Sequence, residues 1–270
     1  MKARYAILAI YFFAALVAIA VTPEYEAAGV QAFENPGDIS NSILYFVAIL
    51  AFTAFILVVS RYKAVLQLVM YGLILISVYY VIYPFAGLLS AIPAVIIVLF
   101  LVKKPNWIVI DVSAFLLSVG IISIFGISLE PLPAIVLLLI LAIYDAISVY
   151  RTKHMISLAE SVTRLRLPLL FVIPLTRDFS FEAIGSKEGE EKKAIYIGVG
   201  DIVVPNILVV SAQHFTSSPA IGFIKLSALM SLSGGLIGLA ILLRMVGKPQ
   251  AGLPFLNIPT IAGYLLSQLL

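Results

Sequence analysis

The sequence predicts an all-α polytopic membrane protein of nine transmembrane helices, with a cytoplasmic N-terminus and an extracellular C-terminus. Three observations lead there. The 270-residue chain is 62% hydrophobic and 11% charged, with a mean hydropathy of +1.13, whereas soluble domains hold about 45–50% apolar and about 25% charged residues. Its apolar residues fall in stretches of span length, about 17–25 residues each. Its basic residues gather at alternate connections between those stretches.

Taken in order, the expected spans are 5–21, 43–60, 65–82, 85–102, 108–125, 133–150, 194–215, 220–243 and 253–269. The first follows Lys2 and Arg4 and contains Ala18-Ile19-Ala20, which resembles a signal cleavage site. Its apolar run is longer than a signal core, so it reads as a retained helix. The connection after it carries Glu24, Glu26, Glu34 and Asp38 and no basic residue; the next carries Arg61 and Lys63. Spans three and four are parted only by Tyr83-Pro84, read as a tight hairpin because proline interrupts a helix. Lys103 and Lys104 follow, then Glu130, then eight basic residues in 151–193, then a neutral turn near Ser217, then Arg244 and Lys248.

All but one of the 17 basic residues thus lie on one face, which the positive-inside rule makes cytoplasmic. Eight or ten spans would spoil the alternation. The exception, Lys225, sits near the outer end of span eight, where its long stem can carry the charge to water. Three regions result: a bundle of six helices over 1–150, a cytoplasmic connection over 151–193, and helices seven to nine over 194–270. Within the connection, 154–167 is amphipathic, 169–173 reads as a short strand or a membrane-surface segment, and 186–193 is a solvated charged tract.

The net charge of +3 sums two differently charged faces and says nothing of nucleic acid. With no cysteine, thiol catalysis, disulfides and cysteinyl metal sites are excluded. His154 and His214 stand far apart with no His-Glu-x-x-His pair, against a zinc protease. Three acids fall inside spans: Asp111, Asp145 and Asp201. Burying a carboxylate in hydrocarbon costs at least about 2.5–3.5 kcal/mol, so each is a functional candidate.

Asp145 lies about five residues from the cytoplasmic end of span six, and Asp201 about seven into span seven. At 1.5 Å per residue both sit roughly 8–10 Å below the surface, on antiparallel neighbours. Two apposed carboxylates in a low-dielectric site share one proton. One can then take a proton from water while its partner donates to a scissile carbonyl. Gly198 and Gly200 permit close approach of a substrate backbone. Such hydrolysis needs no metal and no cofactor. The alternative from another class is a proton- or cation-coupled membrane carrier using the two acids as its ion site. Asp111, near Trp107, reads as an interfacial residue or as a support to the site. The Gly234 and Gly238 pair reads as helix packing within the chain, or as a homo-oligomer contact.

Tyr144-Asp145 on one helix and Gly198-Val199-Gly200-Asp201 on the next resemble the paired motifs of the presenilin and signal peptide peptidase family. The family's third motif, Pro-Ala-Leu at the start of the last helix, falls at Ala251-Gly252-Leu253, followed by Pro254; only the leucine of the triplet is kept. The resemblance spans nearly the whole chain, and its N-inside topology looks like that of a microbial, archaeal-type presenilin homologue. It implies a GxGD-type aspartyl endopeptidase of the cell membrane. Such an enzyme cuts single-span transmembrane helices in the lipid bilayer, with Asp145 and Asp201 catalytic. It also implies active-site support from Tyr144, Gly198, Gly200 and residues 251–254. In this family an unwound substrate pairs as a strand near the cytoplasmic end of the site. The edge that receives it is expected before Gly198 and around 251–254.

Overall fold

A computed structural model describes residues 2–59, 62–103, 106–152, 169–175, 194–245 and 250–270. Within them the chain is mostly helical. Its α-helices are α1 (Lys2–Ala27), α2 (Ser40–Val59), α3 (Lys63–Ala86), α4 (Ala91–Lys103), α5 (Trp107–Ser128), α6 (Pro131–Ile147), α7 (Val199–Phe215), α8 (Leu226–Leu242) and α9 (Gly252–Ser267). Two antiparallel ribbons complete the described elements: β1 (Leu170–Pro174) with β2 (Ala194–Gly198), and β3 (Ala220–Ile221) with β4 (Ile224–Lys225). The expected stretches 154–167 and 186–193 lie outside the described residues.

Four segments are long and apolar enough to cross a membrane: Ala3–Ala27, Ala64–Lys103, Trp107–Ser128 and Pro131–Tyr150. Ser40–Ile56, Val199–Phe215 and Leu226–Leu242 are apolar but shorter. The 40-residue run Ala64–Lys103 would be about 60 Å long as one helix, twice the roughly 30 Å hydrocarbon layer. Instead α3 ends at Ala86, a 3-10 turn covers Gly87–Ser90, and α4 packs back on α3. The break is not at Tyr83-Pro84, as the proline suggested. Pro84 is held inside α3, and the reversal waits for Gly87, whose φ of 53° suits glycine.

The largest correction concerns 194–198. The sequence reads there as the start of a helix, because its apolar run continues unbroken into 199–215. It is a strand, β2, in register with β1 so that Leu170 faces Gly198 and Val172 faces Tyr196. Ile195, Tyr196 and Ile197 are β-branched or aromatic and favour that state, but their partner lies some twenty residues upstream. The expected stretch 169–173 accordingly resolves as a strand one residue further on, Leu170–Pro174. The eighth helix likewise starts at Leu226 rather than 220, after a hairpin turning at Gly222, whose φ is 67°.

At the centre stands α7, in which every residue from Ile202 to Ala212 is buried. A helix apolar all round must be enclosed, and α1, α5, α6, α8 and α9 enclose this one. By contrast α2, α3 and α4 expose Leu44, Val58, Leu68, Ile92 and other large apolar side chains outward, a surface suited to lipid.

Helices α8 and α9 touch backbone to backbone. A Cβ on Gly234 would fall 2.0 Å from the carbonyl oxygen of Pro259, and one on Gly238 2.0 Å from that of Phe255. Gly263 answers from α9 against Met230. The Gly-x-x-x-Gly pair therefore packs within the chain. Replacing Gly238 by Val is expected to cost at least about 1–3 kcal/mol of overpacking, because its obstacle is rigid backbone. Thermal unfolding in detergent should register this, while Gly72→Ala, which lies inside α3 and meets nothing within 4 Å, should leave the transition unlowered or raise it slightly.

Candidate active site

Three chain segments build the site. Asp145 sits in the last turn of α6, buried, where the helix loosens into a π-turn over Ser148–Thr152. Asp201 is the third residue of α7, immediately after β2. With β2 extended, Gly198-Val199-Gly200-Asp201 straddles a strand-to-helix junction, rather than lying two turns inside a helix. Gly198 is the N-cap, with an extended φ, ψ of −64°, 138°, and its N–H donates to the Asp201 carboxylate. An acid at the third helical position reaching back to the N-cap amide is one half of a capping box. Pro205 has no N–H, so the Asp201 carbonyl lacks the intrahelical donor that would come four residues later.

The third segment is the start of α9. The first N–H groups of a helix have no acceptor within it and carry the positive end of its dipole. Here the N–H of Leu253 donates to Asp145 Oδ2 at 3.0 Å, and that of Gly252 donates to the same carboxylate. Pro254, next in the turn, has no N–H to leave unpaired. Gly252 also presses on the other acid: a Cβ there would stand 2.8 Å from Asp201 Oδ1 and 3.1 Å from Oδ2. Asp145 and Asp201 are thus brought together around one glycine, with Ala251 buried behind it as the N-cap.

The remaining expected residues divide. Gly200 borders open space, with nothing within 4 Å of a Cβ, so no packing inside the chain demands glycine there. The ring of Tyr144 lies edge-to-face on Phe46 of α2, centroids 5.8 Å apart, and so packs α2 against α6. Asp111 does not join the pair; its Oδ1 accepts from the N–H of Val172 in β1 at 2.7 Å.

Two contributors escaped the sequence reading. The side chain of Asn257 donates to the Leu138 carbonyl at 2.8 Å, tying α9 to α6 one turn beyond Leu253 and two turns before Asp145. The phenol of Tyr150 donates to Gln250 Oε1 at 2.8 Å, joining the segments that leave α6 and enter α9. A fully buried asparagine in an apolar helix was the available signal, since such an amide needs a partner.

Two carboxylates gathered at a helix N-terminus, among apolar helices, are the equipment of an intramembrane aspartyl protease. A family model described as "Signal-peptide peptidase, presenilin aspartyl protease" matches residues 8–270, and the chain belongs to that family. It is similar to two solved structures of a presenilin family intramembrane aspartate protease, in different crystal forms. One is 32% identical with a TM-score of 0.70, covering 97% of this chain and 96% of that one. The other is 34% identical with a TM-score of 0.71, covering 98% and 96%. No curated protein matches the chain. The protein is accordingly a multi-pass integral membrane protease of the presenilin type, and the carrier reading is not favoured.

The space at Gly252 sets a graded expectation. In Gly252→Ala the added carbon meets a side-chain carboxylate rather than backbone, so a small rotation of Asp201 relieves it and activity should fall by less than about tenfold. Gly252→Val adds two branches at the same place and should cost about 10²-fold, the scale of a 1 Å misplacement. Proteolytic rates for both variants, with melting temperatures to confirm folding, check this.

Proposed function

We propose that Asp145 and Asp201 are the catalytic pair, hydrolysing peptide bonds of single-span transmembrane helices with an activated water. The pair holds one proton between its two carboxyl groups. The ionised member takes a proton from water as it attacks the scissile carbonyl carbon, and the protonated member donates to the carbonyl oxygen. Collapse of the tetrahedral intermediate breaks the C–N bond and returns a proton to the leaving amine. The observation that carries this reading is the start of α9, which gives amide donors to Asp145 and lies against Asp201. Fixed donors aimed at one carboxylate distinguish it electrostatically from its neighbour without assigning either a permanent acid or base role.

The helical substrate must unwind before its amides can react. The ribbon beside the site supports strand addition as the way it is held. Val199 N–H bonds to the Leu169 carbonyl at 3.0 Å and Val172 N–H points to α5. In the register of β1 and β2 this turns the N–H and C=O of Tyr196 away from β1. That edge of β2 leads directly to Gly198, Gly200 and Asp201, and open space at Gly200 leaves room for a peptide. Gly252, at the start of α9, lies against Asp201 at the end of that path. We place nine helices across the cell membrane with the N-terminus cytoplasmic, on the alternation of basic connections.

The test is cleavage of a fluorescent single-span helix in liposomes. Asp145→Ala and Asp201→Ala should each lower the rate by about 10²–10⁴-fold or more with expression and helicity intact, and a hydroxyl-isostere inhibitor should block the parent chain. Either variant cutting at the parental rate would sink the pair. The parent should also show a bell-shaped pH profile, falling in acid as both groups protonate and in alkali as both ionise.

A further inference from the structure

Asp111 is an intramembrane acid that the hydrolytic mechanism does not use. It lies one turn into α5, whose start is held by Asn106, the N-cap, accepting from Val109 N–H at 2.8 Å. A carboxylate among apolar helices needs a partner, and Asp111 has a backbone amide of β1.

The register says which amide. Successive residues of an antiparallel strand point their N–H and C=O alternately toward and away from the partner. The Val199-to-Leu169 bond makes 169, 171 and 173 the inward-bonding positions of β1, which leaves Leu170 and Val172 facing outward. Pro174 has no N–H. Val172 is therefore the central outward donor of β1, and Asp111 occupies it.

The two strands also differ in burial. Phe171, Val172 and Ile173 are all buried, Val172 at 3% exposure, whereas Tyr196 opposite it is 37% exposed. Among the described residues β2 has no strand on its far side. Among the described residues the ribbon thus has one edge bonded to α5 and one edge open, and the open edge runs into Asp201.

We infer that Asp111 is a positioning residue of the protease. It anchors β1 to α5 and so fixes the height at which β2 presents its open edge to the substrate strand. This rests on the proposed strand addition. A ribbon of five-residue strands is marginal alone, and a one-residue slip would bring a different peptide bond to the carboxylates and invert every side chain of the bound strand. The Asp111–Val172 bond resists that slip from the side that substrate does not touch. What it governs is where the substrate is cut as well as how fast.

The experiment compares the parent with Asp111→Leu, Asp111→Asn and Val172→Pro, using a single-span substrate in liposomes and mass spectrometry of the products. Val172→Pro removes the same hydrogen bond from the other partner without touching the ladder to β2. Asp111→Asn keeps an oxygen acceptor for the amide. Asp111→Leu and Val172→Pro should spread cleavage over neighbouring bonds and lower kcat/KM about 10–100-fold, largely through KM. Asp111→Asn should keep the parental cleavage position and stay within about threefold. A small hydroxyl isostere that reaches only the carboxylate pair should bind all four proteins equally, which establishes that the pair is intact in each. Parental products at the parental rate from Asp111→Leu and Val172→Pro would overturn the inference while leaving the protease standing. So would loss in Asp111→Asn equal to that in Asp111→Leu. A parent chain that cuts nothing, with the isostere still bound, would instead overturn the proposed substrate handling.

Discussion

Each helix in this bundle begins with amides that its own backbone cannot satisfy, and each carboxylate inside the bundle needs donors that lipid cannot supply. The start of α9 meets both demands at once. Its first two amides go to Asp145, its third residue is a proline with none to place, and its first residue is a glycine small enough to admit Asp201. A hydrogen bond to a charged group contributes about 1.5–3 kcal/mol. Against the cost of burying an acid in a membrane, that is the difference between a tolerated carboxylate and an excluded one. The pair therefore depends on a helix some fifty residues beyond Asp201, and every element that positions α9 positions the pair.

The packing follows from that dependence. For α9 to stand beside both α6 and α7, α8 must lie flush against it, which is why Gly234, Gly238 and Gly263 meet backbone where other residues would hold the helices apart. Asn257 then fixes the height of α9 on α6 through the Leu138 carbonyl. Residues 202–212 of α7 are buried among its neighbours, which fixes the backbone from which Asp201 projects. Small residues and single buried amides carry this arrangement, as expected where lipid tails are as apolar as the helix surfaces and packing must supply the attraction.

Much of this was legible from the residues. The helical segments, the candidate acids and the third motif follow from hydropathy, the cost of a buried charge and a short pattern. What the pattern misjudged was backbone state. Hydropathy measures affinity for an apolar environment, and 194–198 has that affinity as a strand as much as it would as a helix. The deciding partner, 170–174, is distant in sequence and itself ambiguous. Pro84 misled in the opposite way. A proline inside a membrane helix is tolerated where neighbours absorb the freed carbonyl, so the turn passed to Gly87, the residue able to take a positive φ. Asn257 and Tyr150 act across helices, and no local rule names their partners.

The strand at 194–198 also changes what the Gly-x-Gly-Asp motif means. Within a continuous helix, the two glycines would only thin the wall beside an acid. At a strand-to-helix junction they do separate things. Gly198 ends the strand, caps the helix and gives its amide to Asp201, while Gly200 keeps open the space in front of it. Under the proposed strand addition, a substrate strand following the free edge of β2 is delivered at the point where the backbone turns from extended to helical. There the ladder between β1 and β2 stops, and Asp201 follows three residues after Gly198. In the proposed mechanism, recognition by backbone pairing and attack on the backbone are consecutive steps along one chain, and both require an unwound peptide.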